Sequence, residues 1–78
     1  MPNTVEERIN AIISEQLGVP FERITPDTPF TDLGADAKDV TILLMSFEEE
    51  FAIMISDADA PNIRTPREAA AYVQAHAH

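Results

Sequence analysis

"DLGADAKDVTILLMSFEEEF", residues 32–51, decides the fold. A glycine turn leads to Asp36, a residue type that caps helix N-termini, and Asp39 follows three positions later. Negative charge in a first turn suits the helix dipole. From there Val40, Leu43, Leu44, Phe47 and Phe51 recur at helical spacing, and at about 100° per residue they gather on one face. The stretch predicts an amphipathic helix whose apolar face meets a core. At its opening, where chemistry would be expected, stands Ala37, which has no reactive atom.

Upstream, "TVEERINAIISEQLG" predicts another helix. Thr4 and Glu7 have the spacing of a capping box, Val5, Ile9, Ile12, Ile13 and Leu17 keep the helical period, and Gly18 supplies the stop. Between the two lies "VPFERITPDTPFTDLGA", a long connection with three prolines. Long loops are uncommon in compact domains. Phe21, Ile24, Phe30 and Leu33 are expected to anchor this one to the core as an ordered crossover. Downstream, one short turn of helix is expected near residues 57–61. A last helix begins at Thr65, with Pro66 at its first position, Glu68 completing a capping box, and Ala69, Tyr72, Val73 and Ala77 on the inner side. The final "AHAH" is expected to fray. The fold class is all-α: a small bundle of three main helices and one short helix, with a long loop between helices one and two, forming a single domain over residues 1–78.

Charge narrows the function. The 78 residues hold 14 acids and 5 bases, a net charge of −9, and residues 27–59 contain nine of the acids and one base, Lys38. Such a surface is a poor partner for nucleic acid and a good one for basic protein surfaces. No apolar run approaches the roughly 18 residues of a membrane span. The opening "MPNTVEER" lacks the pattern of a secretion signal, so a cytoplasmic, monomeric protein is expected. There is no cysteine, and the two histidines, His76 and His78, both lie in the tail. No nucleophile is paired with a base, which argues against an enzyme. Asp32, Asp36, Asp39, Asp57 and Asp59 match no dedicated cation loop, and the two tail histidines are too few for a metal site, so none is expected.

"EERINAIISEQLGV", "PDTPFTDLGAD" and "FEEEF" together resemble an acyl carrier protein, over residues 5–72. The resemblance implies a carrier and not an enzyme. It also implies a phosphopantetheine arm held through a phosphodiester on the serine of an Asp-Ser-Leu motif, and an acidic second helix that docks on basic surfaces of acyl-metabolising enzymes. Asp36 matches the motif's aspartate. Ala37 stands where the serine belongs and Lys38 where the leucine belongs. Without an oxygen at position 37 no phosphodiester forms there, so no cofactor is expected. Thr41, Ser46 and Ser56 are the nearby hydroxyls, and each is displaced from the helix start. Two explanations stand: a naturally serine-free relative, or an ordinary carrier held unmodified by an engineered serine-to-alanine change.

The same helical arithmetic puts Lys38, Ile42, Met45 and Glu49 about 140–200° from the core direction. They form one outward stripe, with Glu48 beside it, and are the candidate partner-binding residues. Beyond the acidic run, Ile53 and Met54 stand where the family usually has polar residues. Ile55 is expected to pack inward, while the pattern leaves open whether Ile53 and Met54 enlarge the core or widen the surface beside helix two.

Overall fold

The structure, a computed structural model, describes residues 4–76. Three α-helices make the frame: α1 (Val5–Leu17), α2 (Ala37–Phe51) and α3 (Pro66–His76). Short 3-10 turns occur at Phe21–Arg23, Phe30–Leu33 and Ala60–Asn62. The last falls slightly later than the turn expected near residues 57–61, because Pro61 fits its opening positions.

Each helix starts for a local reason. At α1 the Glu7 N–H donates to Thr4 Oγ1 at 3.0 Å and the Thr4 N–H donates to Glu7 Oε1 at 3.2 Å, a reciprocal box. At α2 the Asp39 N–H reaches Asp36 Oδ1 at 2.8 Å and the Asp36 N–H reaches Asp39 Oδ2 at 3.1 Å. At α3 the Glu68 N–H donates to Thr65 Oγ1 at 3.1 Å, but the return bond differs from expectation: Glu68 Oε1 takes the Arg64 N–H, at 3.0 Å. Gly18 ends α1 at φ +67°, its N–H donating to Ser14 O at 2.9 Å.

Ile9 and Ile13 of α1, Leu43 and Phe47 of α2, Val73 of α3 and Phe30 of the crossover form the driest part of the core. The Phe30 and Phe47 rings sit 6.3 Å apart with a 48° tilt, within the range favoured for aromatic pairs. Val5, Ile12, Leu17, Val40, Phe51, Ile55 and Tyr72 pack against this centre and are partly buried. Ala70, which the sequence pattern missed, joins Ala69 in the core, whereas Ala77 and His78 lie outside the described residues. Among the described residues α1 packs on both α2 and α3 more extensively than these two pack on each other.

The crossover is ordered by hydrogen bonds. Phe30 N–H donates to Arg64 O and Arg67 N–H to Pro26 O, each at 2.9 Å, and the Ser14 hydroxyl donates to Val19 O at 2.6 Å. Ile24, Phe30 and Leu33 are buried as expected. Phe21 is not. It is 51% exposed, because the 3-10 turn that begins at Phe21 turns Ile24 inward and leaves the ring outside. The anchor role expected for Phe21 is therefore corrected. The choice between Ile53 and Met54 also resolves: Ile53 is buried and Met54 is 85% exposed.

Candidate functional site

Gly34, at φ +96°, turns the chain from the Phe30–Leu33 turn into α2, and its N–H donates to Thr31 O at 3.1 Å. The turn presents Asp36 and Ala37 to solvent, with Ala37 as the first residue of α2. The capping box holds this end firmly, but the side chain it offers is a methyl group. The nearest hydroxyl along the helix is engaged: Thr41 Oγ1 donates to Ala37 O at 3.1 Å, a turn farther in. Ser46 is half-buried and takes a hydrogen bond from Gln16 Nε2. Ser56 lies beyond α2, where its Oγ accepts the Asp59 N–H at 3.1 Å.

The outward stripe is where the helical arithmetic put it. Lys38, Ile42, Met45 and Glu49 are all exposed, Ile42 at 42% and Met45 at 53%. Lys38 and Glu49 form no ion pair among the described residues. The acidic run divides in a way the sequence could not reveal. Glu50 pairs with Arg8 of α1 at 2.8 Å, and Arg8 also lies 4.5 Å above the Phe51 ring and donates to Glu50 O. Glu48 is half-buried, and its Oε2 accepts the Ile55 N–H at 2.8 Å. Glu49 alone of the three projects with no such engagement among the described residues.

Two charged or polar contacts hold the far side. Arg67 and Asp27 form a fork, with Nε to Oδ1 at 2.7 Å and Nη2 to Oδ2 at 3.1 Å. The hydrogen bond from Arg67 holds the Asp27 carboxyl below its ordinary value. Tyr72 Oη donates to Asp59 Oδ2 at 2.9 Å, and burial together with that carboxylate pushes the Tyr72 phenol up. His76 stacks on the Tyr72 ring at 3.9 Å. Among the described residues no three His, Cys, Asp or Glu side chains gather as metal ligands.

The domain is thus a three-helix bundle with a long pinned crossover and an exposed, capped start to its second helix. A family model, phosphopantetheine attachment site, matches residues 7–73. An acyl carrier protein of Nitratidesulfovibrio vulgaris (strain DSM 19637 / Miyazaki F) is 49% identical over 72 residues, covering 91% of this chain and 95% of the relative. The structure is similar to that of an acyl carrier protein from Enterococcus faecalis, with a TM-score of 0.81 and 30% identity over 94% of each chain. It also resembles an acyl carrier protein from Thermotoga maritima, with a TM-score of 0.74 and 34% identity over 87% of this chain and 80% of that one. The chain belongs to the acyl carrier protein family. Members of that family are carriers of acyl groups and not enzymes. No helix among the described residues is long and apolar enough to cross a membrane.

Proposed function

We propose that this chain is a protein-binding module with the carrier fold and no phosphopantetheine arm, which docks on enzymes of acyl metabolism through the outer face of α2. The observation that supports this reading most is Ala37. The position that opens α2 is exposed and firmly capped, as an attachment site needs, yet its side chain holds no oxygen to accept a phosphodiester. The residues around it do not fit the arm, since Thr41, Ser46 and Ser56 are each hydrogen-bonded and set away from the helix start. Misplacing a nucleophile by about an ångström is already expensive in catalysis.

Lys38, Ile42, Met45 and Glu49 then form the docking face, with Glu48 at its edge. A cytoplasmic monomer that meets basic enzyme surfaces suits the charge of −9. Two observations favour a second reading, an ordinary carrier with an engineered alanine. The capping frame is intact, and 49% identity to an acyl carrier protein is close kinship for so short a chain. The test is intact mass after incubation with a broad-specificity phosphopantetheinyl transferase and coenzyme A. The parent chain should gain nothing; a gain of one arm would sink the arm-free reading. A serine codon at position 37 in the genomic reading frame would establish the engineered alternative.

A further inference from the structure

The loop leaving α2 is held at nearly every residue. Ala52 takes a left-handed conformation at φ +54°, and its N–H donates to Glu48 O. The Ile53 N–H donates to the same carbonyl at 3.2 Å, and the Ile55 N–H donates to the Glu48 carboxylate at 2.8 Å. Tyr72 Oη lies 3.4 Å from Met54 O, though its single proton favours the shorter bond to Asp59. Glu48 thus grips both neighbours of Met54 while Ile53 is buried and Ile55 half-buried. Burial alternates along residues 53–55, so the Met54 side chain faces outward. Its 85% exposure is imposed by the fold.

Where it points is informative. Met54 and Met45 line one shallow groove of about 290 Å³ together with Ile53, Glu48 and Glu49. Ile42 lies one turn away from Met45 on α2, so three of the four large apolar side chains exposed among the described residues share this side. Singly exposed apolar residues need no explanation, but a continuous row with a rigid base does.

We propose that Met54 is a preset apolar anchor that extends the α2 face past the end of the helix. In this proposal the groove between Met45 and Met54 takes a large apolar side chain from a basic amphipathic helix of a partner protein. Charge decides the occupant. Glu49 and Asp57 are exposed beside Met45 and have no ion-pair partner among the described residues. A second copy would bring the same acids and a further charge of −9, and like charges across an interface are penalised. Lysines flanking the inserted side chain would be attracted. Methionine on both walls suits side chains of differing shape, and a loop already ordered loses little entropy on binding.

The inference rests on the α2 docking reading, and one titration separates the two. The parent chain, with its methionine methyl groups labelled with carbon-13, is titrated with a short amphipathic lysine–leucine helical peptide at low and moderate salt. The Met45 and Met54 methyl signals should move together on one binding curve that weakens as salt rises. Met54→Ser should keep the parent's melting temperature and weaken binding about tenfold or more. Movement of Met45 without Met54 overturns the anchor and leaves the α2 face standing. If neither moves, the docking face itself is refuted. Methyl shifts that depend on protein concentration without peptide would make this a self-association surface and overturn the basic partner.

Discussion

The two ends of α2 are built with equal care and to different effect. At the start, Asp36 and Asp39 cap one another and the turn at Gly34 exposes position 37, yet the side chain presented there is inert. At the far end no side-chain cap or glycine is available. Ala52 accepts a strained left-handed backbone, Glu48 holds the loop, and the side chain presented is a large, exposed methionine. One end keeps an attachment frame without the chemistry of attachment. The other adds exposed apolar surface at Met54.

The sharpest way to break this comparison is along α2 itself. Leu43 and Ile42 are neighbours in sequence, one buried and the other exposed. Leu43→Glu places a charge in the driest part of the core and should unfold the domain, a loss of more than about 4 kcal/mol by chemical denaturation. Ile42→Glu should leave stability within about 0.5 kcal/mol of the parent. Equal damage from both would mean that the outer face is not a free surface.

Removing the start's cap is the next largest effect. Asp36→Ala removes the carboxylate that accepts the Asp39 N–H, while the backbone N–H at position 36 keeps its bond to Asp39, and should cost about 1 kcal/mol in the same measurement. At the other end Ala52→Gly should raise stability by roughly 0.5–1 kcal/mol, because a left-handed alanine is strained, although the glycine also gains freedom when unfolded. A loss there would show that the helix exit is not strained.

Beyond α2 the effects shrink. In Arg67→Ala the Asp27 carboxyl should titrate closer to its ordinary value of 3.8, as followed by NMR. Since the folded-state value is the depressed one, the pair's contribution is present above the ordinary value. It is lost as pH falls through the depressed one. Both partners are exposed, so the stability difference from the parent at neutral pH should be small. Moderate salt or millimolar magnesium should raise the melting temperature by screening the acidic half and by weak binding. An unchanged melting temperature would show the acids to be too dispersed to strain the fold.

Local chemistry made much of this legible before any coordinates. The helix starts, the Gly18 stop and the core faces follow from side chains acting on their own neighbours in sequence. The outer stripe followed as well, because helical periodicity fixes direction once the core side is known. What stayed hidden depended on distance or on a change of period. Arg8 claims Glu50 from 42 positions away, and nothing in "FEEEF" distinguishes the acid that pairs, the acid that holds a loop and the acid that projects. The facing of Ile53 and Met54 depends on the left-handed turn at Ala52, which ends the helical period in a residue that does not advertise it. Phe21 misled because hydrophobicity alone does not say which way a single 3-10 turn faces.

The central claim is docking without an arm, and competition tests it most directly. The initial rate of phosphopantetheinyl transfer to an ordinary unmodified acyl carrier protein would be measured against increasing concentrations of this chain and of its Ile42→Glu variant. The parent should inhibit the transfer while remaining unmodified itself, and the variant, equally folded, should inhibit at least about tenfold more weakly. No inhibition by the parent, or equal inhibition by parent and variant, would contradict the account.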